Sequence, residues 1–251
     1  MRNILVTNDD GIFSPGISLL AITASEFGRV TVLAPDRVRS GGSQSVNFHR
    51  DFLMKPYDMG LPGVSAFSFD GTPTDCVRAV FNGLSDSNLN DKGLFEKPDL
   101  ILSGINDEMN AGCDILYSST IGAAMEAVLY DVPAICFSSH RAKSGPGEVT
   151  KRYLKEMLSE LIEKPLPPGQ IYNVNFPSCA LSDFKGILYD RVPAQIPGYQ
   201  DIYHLKENDD KSFTVAIEAI PMESALDGTD IGAVLTGHIS VGVVKNMVKS
   251  V

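Results

Sequence analysis

The feature of this chain that most restricts its fold is an alternation of short apolar runs with longer segments whose apolar residues recur at helical spacing, sustained over residues 1–176. The apolar runs predicted to be buried strands are residues 4–7, 29–34, 100–102, 134–138 and 171–176. The segments predicted to be helices are residues 17–22, 75–81, 120–129 and 149–163. Strands that alternate with helices in this way predict an α/β fold with a doubly wound, mostly parallel sheet.

The pattern changes beyond residue 177. Residues 186–221 are rich in Asp, Tyr and Pro and predict irregular β-hairpins, within which residues 213–217 alternate like a half-exposed strand. Residues 236–244 predict a final strand. We therefore expect an α/β domain at residues 1–180 and a β-rich element at residues 181–251, which either contacts another subunit or caps the sheet.

The composition narrows the class of protein. Hydrophobic residues make up 43% of the 251 residues and charged residues 21%, which is typical of a folded globular chain. The net charge of −10 argues against a nucleic-acid polymer as partner, because binding to a phosphate backbone needs an excess of Lys and Arg. The four cysteines form no C-x-x-C pair, which favours reduced thiols in a cytoplasmic protein over a zinc site. No signal peptide and no membrane-spanning stretch are predicted.

Two adjacent carboxylates, Asp9 and Asp10, directly follow the first predicted strand. Ligands bind at the carboxyl edge of open α/β sheets, and neighbouring carboxylates repel each other unless a cation or a proton lies between them. Asp9 and Asp10 therefore predict a site for a hard metal ion. The alternative is that they only form the turn and cap the next helix, because Asn-Asp-Gly sequences are common in turns.

Polar residues follow three further elements at the same predicted edge. They are Ser40 in a Gly-rich loop, Asn106 and Asn110 after the third predicted strand, and residues 118–120 at a helix start. Hydroxyl and amide oxygens suit Mg²⁺ or Mn²⁺, and a helix N-terminus suits a phosphate. Each feature also has a structural alternative: a flexible loop around Ser40, left-handed loop positions for the two asparagines, and an N-cap at Thr120.

Several signatures of phosphate chemistry are absent from the sequence. There is no G-x-x-x-x-G-K-[ST] loop, no G-x-G-x-x-G and no G-x-S-x-G elbow. Asn8 precedes Asp9 and Asp10, so the D-x-D arrangement of aspartyl-phosphate phosphatases is missing as well. These absences disfavour a covalent enzyme intermediate.

Several separate motifs occur in an order that resembles the SurE family, the stationary-phase survival proteins that are metal-dependent nucleotidases. The matching stretches are ILVTNDDGI at residues 4–12, APDR at 34–37, GTPTDCV at 71–77, SGIN at 103–106, YSSTIGAAME at 117–126 and TGHISV at 236–241. Together they span nearly the whole chain, and the agreement of several motifs is more specific than any one of them.

The resemblance implies a Rossmann-like domain and a phosphomonoesterase, namely a 5′-nucleotidase that converts nucleoside monophosphates to nucleoside and phosphate. It implies one divalent cation per subunit, Mg²⁺ or Mn²⁺, bound by the residues Asp9, Asp10, Ser40 and Asn106. It also implies that the substrate phosphate lies beside the residues Asn110, Ser118 and Thr120. The C-terminal β element would then serve the assembly of a homodimer or homotetramer.

Two residues depart from the family pattern, which has small residues or glycine at the positions of Glu108 and Ser119. A carboxylate 4 Å from a phosphate charge is repelled by about 1 kcal/mol even in bulk water. Glu108 must therefore point away, pair with a cation or change the choice of substrate. Ser119 either crowds the phosphate or adds a hydroxyl donor.

The mechanism expected from these residues is direct attack of water on the phosphoryl group, with Asp9 or Asp10 as the base that orients the water. Asn110, Ser118 and Thr120 would stabilise charge on the phosphoryl oxygens together with the helix N-terminus. Two other functions stay open at this point: a nucleotide-binding protein without catalysis, and a phosphatase that acts mainly on short polyphosphate or a sugar phosphate.

Overall fold

A mixed sheet forms the centre of the computed structural model, which describes residues 1–140, 145–164, 166–222, 224 and 226–249. The strands are β1 (Arg2–Thr7), β2 (Gly28–Pro35), β3 (Met54–Pro56), β4 (Val64–Phe69), β5 (Leu100–Asn106), β6 (Ala134–Ser139), β7 (Gln170–Phe176), β8 (Ile187–Arg191), β9 (Tyr199–Glu207), β10 (Phe213–Pro221) and β11 (Ile239–Lys245). Within the described residues, nine of them form the main sheet, in the order β3-β4-β2-β1-β5-β6-β7-β11-β8.

Helices cover both faces of the main sheet. They are α1 (Pro15–Ala24), α2 (Pro73–Ala79), α3 (Ser119–Ala127), α4 (Glu148–Ile162) and α5 (Asp230–Leu235). Successive residues of β1 point to opposite faces: Ile4 and Val6 pack in one core with α1 and α4, whereas Leu5 packs in the other with α2 and α3. The six central strands β4, β2, β1, β5, β6 and β7 run parallel, so the predicted α/β fold with a doubly wound, mostly parallel sheet is confirmed.

The start of α2 is fixed by capping residues that are visible in the sequence. The hydroxyl of Thr72 accepts the N–H of Asp75 at 3.0 Å, and Pro73 occupies the first turn. The carboxylate of Asp75 in return accepts the N–H of Thr72 at 3.0 Å, which completes a capping box. Asp75 also accepts the backbone N–H and the side-chain amide of Asn47, at 3.0 and 2.6 Å. The same carboxylate therefore ties α2 to the long loop that follows β2.

The C-terminal region is more closely joined to the main sheet than the sequence indicates. β11 pairs antiparallel with β7 and parallel with β8, so two strands beyond residue 180 extend the main sheet. Of the described strands, only β9 and β10 form a separate sheet. α5 is missed by sequence analysis because six residues are too few to display a helical period. The predicted boundary between residues 180 and 181 stays a prediction.

β5 is longer than predicted, and the extra length positions polar residues. The sequence predicts a strand at residues 100–102, whereas β5 continues through Ser103 and Gly104 to Asn106. All seven of its residues are buried. Asn106 consequently lies at the carboxyl edge of the sheet, beside the end of β1. Among the described helices, none has the length and apolar character needed to cross a membrane.

Candidate active site

A cleft of about 960 Å³ opens at the carboxyl edge of the main sheet, between the ends of β1 and β5 and the base of the β9–β10 hairpin. Six of the seven predicted site residues line it: Asp9, Asp10, Ser40, Asn106, Asn110 and Ser118. They come from separate loops that the parallel strand order brings to one edge. The seventh residue, Thr120, is fully buried and lies beneath the cleft floor rather than on it.

Neither carboxylate is required for the turn that follows β1 or for the start of α1. Asn8 closes the turn, because its Oδ1 accepts the N–H of Gly11 at 3.1 Å and its Nδ2 donates to the Gly11 carbonyl at 3.0 Å. Ser14 caps α1 by accepting a backbone N–H of the first turn at 3.1 Å. The side-chain bonds of the turn and the cap therefore belong to Asn8 and Ser14, and the expectation that the two carboxylates cap the next helix is wrong.

Asp9 is held inside the protein by Thr120. Asp9 is only 3% exposed, and the Thr120 hydroxyl donates to its Oδ1 at 2.7 Å. Burial raises the pKa of Asp9 above its usual value, and the hydrogen bond from Thr120 opposes part of that rise. This geometry differs from the predicted contact between Thr120 and a substrate phosphate. The single hydroxyl hydrogen of Thr120 is donated to Asp9 and is therefore not available to a phosphate oxygen.

The first turn of α3 is capped by Ser118, and the alternative of an N-cap at Thr120 is wrong. Ser118 Oγ accepts the N–H of Ile121 at 3.1 Å. Ser118 also lines the cleft, so the N-terminus of α3 faces it. The unpaired N–H groups and the positive end of the helix dipole at that position favour a bound anion.

The loop that carries Ser40 is tied to α3 by Ser119. The Ser119 hydroxyl donates to the Arg39 carbonyl at 2.9 Å and accepts the N–H of Gly42 at 3.1 Å. Ser119 is 1% exposed and does not line the cleft. It therefore takes neither of the two expected roles at a phosphate. Instead it fixes the backbone on both sides of Ser40, which argues against a freely flexible loop there.

Asp10 lies in an unfavourable electrostatic environment. It is partly buried, and its Oδ2 accepts the backbone N–H of Asp107 at 3.1 Å. Burial, followed by repulsion from Asp9 and Asp107, raises the pKa of Asp10 to about 7. No Lys or Arg occurs among the described residues that line the cleft. A cation or a proton supplied from outside would therefore stabilise the carboxylate pair.

Asn110 is immobilised by buried polar groups that the sequence analysis does not identify. Its Nδ2 donates to Ser138 Oγ at 2.8 Å, its N–H donates to Asn175 Oδ1 at 2.8 Å, and its carbonyl accepts from Asn173 Nδ2 at 2.7 Å. Asn173 and Asn175 are two residues apart on β7, so both amides point to the same side of a buried strand. This spacing is visible in the sequence. Neither Asn106 nor Asn110 has a positive φ, so the left-handed alternative is wrong.

Two aspartates join the C-terminal region to the site, the buried Asp230 and the half-buried Asp114. Asp230, at the start of α5, accepts the N–H groups of Gly112 and Ala194, both at 3.0 Å. Asp114 accepts the N–H of Gly198 at 2.7 Å. These contacts join positions 118, 36 and 84 residues apart, and no local pattern in the sequence predicts them. They fix the cleft loop against the segment that leads into β9.

The chain is similar to proteins of one family in sequence and in structure. The family model for Survival protein SurE matches residues 4–196. The 5′-nucleotidase SurE of Legionella pneumophila subsp. pneumophila is 35% identical over 238 residues, which cover 95% of this chain and 88% of the relative. The 5′-nucleotidase SurE of Clostridium botulinum strain 657 is 33% identical over 245 residues, covering 95% and 91%. The crystal structure of the SurE protein from Aquifex aeolicus matches with a TM-score of 0.75 at 31% identity, over 97% of this chain and 93% of that chain.

The raised pKa of Asp10 predicts how stability depends on pH without metal. The pKa of Asp10 is about 7 in the folded state, whereas an unfolded Asp loses its proton near its ordinary pKa of 3.8, so the carboxyl increasingly destabilises the fold as pH rises between these values. In the presence of EDTA, Asp10→Asn is expected to raise the free energy of unfolding by roughly 1–3 kcal/mol at about pH 8 and to have little effect near pH 4.

Urea denaturation at several pH values measures this difference. The exposed Asp91→Asn is the matched control and is expected to leave stability unchanged at every pH. If Asp10→Asn were no more stable than the wild type at pH 8, the electrostatic penalty on the carboxylate pair would be excluded.

Proposed function

We propose, since this chain belongs to the SurE family, that it is a 5′-nucleotidase that hydrolyses nucleoside 5′-monophosphates to nucleoside and phosphate with one divalent metal ion, Mg²⁺ or Mn²⁺. The observation that carries the proposal is the pair Asp9 and Asp10, one buried and one partly buried carboxylate on a cleft that no Lys or Arg of the described residues lines. The activity in the names of the relatives supports hydrolysis over binding without catalysis and over action mainly on short polyphosphate.

The four predicted metal ligands fit a hard divalent cation. The two carboxylates supply two negative charges, and Ser40 and Asn106 add neutral oxygens, which is the donor chemistry of Mg²⁺ and Mn²⁺ sites. Asn106 Nδ2 donates to the Glu108 carbonyl at 2.6 Å, so Asn106 Oδ1 is the side-chain atom left for a cation. The described residues contain no group of three or more His, Cys, Asp or Glu arranged for a metal, so the neutral oxygens are needed to complete this donor set. When bound, the cation would supply positive charge that polarises the phosphoryl group.

In each of the two carboxylates, one oxygen accepts a hydrogen bond from the protein and the other is available for the proposed chemistry. The hydrogen bonds from Thr120 and from the N–H of Asp107 each occupy one oxygen, Oδ1 of Asp9 and Oδ2 of Asp10. The second oxygen of each carboxylate is available to hold the cation or to orient the attacking water. Direct attack by this water needs no nucleophilic side chain, because phosphoryl transfer depends mainly on positioning and electrostatic stabilisation.

The proposed position of the transferring phosphoryl group is beside Asn110, Ser118 and the N-terminus of α3. Asn110 is fixed by its four buried hydrogen bonds with Ser138, Asn173 and Asn175, so it loses little freedom when substrate binds. The N–H groups at the start of α3 stabilise negative charge on the phosphoryl oxygens. Thr120 acts one step further away, as a residue that positions Asp9.

Asp9→Asn tests the proposed site. It removes one of two ligand charges and is expected to lower kcat/KM at least about 100-fold by weakening metal binding and the stabilisation of the transition state. The measurement is phosphate release from a panel of 5′- and 3′-nucleoside monophosphates with Mn²⁺, Mg²⁺ or EDTA. The exposed Asp91→Asn serves as the control with wild-type activity expected. Full metal-dependent activity in Asp9→Asn would remove the carboxylate pair from the mechanism.

Two simple properties of the chain support the proposed compartment and the proposed partners. The four cysteines are free thiols, which supports a reducing compartment such as the cytoplasm. The net charge of −10 supports a small substrate neutralised by a metal ion rather than a nucleic-acid polymer.

The β9–β10 hairpin carries an exposed apolar face that a second copy of the chain would cover. In the antiparallel register, Leu205 pairs with Val215 and Tyr203 pairs with Ile217, so these four side chains share one face. Their exposures lie between 59% and 69%. A contiguous apolar face of this kind favours a subunit contact, and the self-complementary contact of a homodimer or homotetramer is the proposed arrangement.

Leu205→Asp tests this assembly. A charge in the centre of the apolar face is expected to lower the mass measured by light scattering after size-exclusion chromatography to that of a smaller assembly. Lys206→Asp places the same side chain on the opposite face of the hairpin and is the matched control, with the mass unchanged. An unchanged mass in Leu205→Asp would exclude this face from the assembly.

A further inference from the structure

Glu108 spans the cleft from the loop after β5 to the base of the hairpin. Its Oε2 accepts the hydroxyl of Tyr199, the first residue of β9, at 2.8 Å. The imidazole Nδ1 of the buried His140 lies 4.0 Å from the same oxygen. The side chain remains 49% exposed on the cleft. The contact with Tyr199 therefore holds the carboxylate at a defined place on the cleft wall.

The wall around Glu108 carries further negative charge. Asp107, Asp114 and Asp201 line the same cleft, and no Lys or Arg accompanies them among its described lining residues. A metal ion bound by Asp9 and Asp10 would offset first the charge of these two ligands.

We propose that Glu108, held by Tyr199, is a specificity-determining residue that restricts the enzyme to phosphomonoesters whose alcohol part is uncharged. This inference rests on the proposed 5′-nucleotidase function, with the reacting phosphate beside Asp9 and Asp10. The remainder of the substrate then extends along the wall that Glu108 and Asp201 form. A neutral nucleoside is tolerated there, whereas a second phosphate on the ribose meets fixed negative charge in a partly desolvated cleft.

The test compares adenosine 5′-monophosphate with adenosine 3′,5′-bisphosphate, following loss of the 5′-phosphate by chromatography in saturating Mn²⁺. The wild type is expected to show a higher kcat/KM for the monophosphate. Glu108→Gln preserves the size of the side chain and its capacity to accept from Tyr199, and removes the charge. We expect it to reduce the ratio of the two kcat/KM values by about five- to tenfold. Tyr199→Phe releases the carboxylate and is expected to give a smaller reduction.

Two controls separate electrostatic selection from shape. The ratio in the wild type is expected to decrease as ionic strength rises, because salt screens a partly exposed charge. Glu163→Gln changes an exposed carboxylate on the opposite edge of the sheet and is expected to leave the ratio unchanged.

The possible outcomes distinguish this inference from the function on which it rests. An unchanged ratio in Glu108→Gln, with the monophosphate still hydrolysed, would overturn the role of Glu108 and leave the nucleotidase function intact. A ratio that changes in Glu108→Gly but not in Glu108→Gln would overturn it in favour of a steric effect. Absence of hydrolysis of every monophosphate by the wild type would overturn the proposed function itself, and this inference with it.

Discussion

Repulsion between two carboxylates at the end of a buried strand is the interaction on which the rest of this structure depends. Asp9 and Asp10 lose hydration on folding, and the pKa of Asp10 rises to about 7 as a result of burial and of its neighbour. One hydrogen bond to each carboxylate, from Thr120 and from the N–H of Asp107, offsets only part of this cost. A bound divalent cation would relieve the remainder, so the unfavourable electrostatics of the metal-free fold and the proposed affinity for metal would have the same origin.

The neutral groups around the carboxylate pair are fixed before a ligand binds. Buried amides of β7 hold Asn110, and Ser119 holds the backbone on both sides of Ser40. The C-terminal region also helps to fix the site, because Asp230 joins the cleft loop to the segment before β9. Reactions at phosphorus gain mainly from such positioning, so these rigid contacts support the proposed direct attack by water, which needs no nucleophilic side chain.

The sequence predicts the parts of this structure that depend on local patterns. The apolar runs of the parallel strands, Thr72 as the cap of α2, and the convergence of Asp9 with Asn106 all follow from periodicity, capping chemistry and the geometry of parallel sheets. The contacts that give each residue its exact role do not follow from such local patterns, because the Thr120–Asp9 and Glu108–Tyr199 hydrogen bonds join positions 111 and 91 residues apart. Such contacts depend on the packing of whole elements against one another.

The position of the metal ion is the point most open to direct measurement. Crystals soaked in Mn²⁺ and measured at the manganese absorption edge give an anomalous map that locates the ion independently of activity. We expect one peak per chain within about 2.0–2.6 Å of oxygens of Asp9 and Asp10, with Ser40 and Asn106 at neighbouring ligand positions. A manganese peak elsewhere in the molecule, with none between the ends of β1 and β5, would contradict the assignment of this edge of the sheet as the active site.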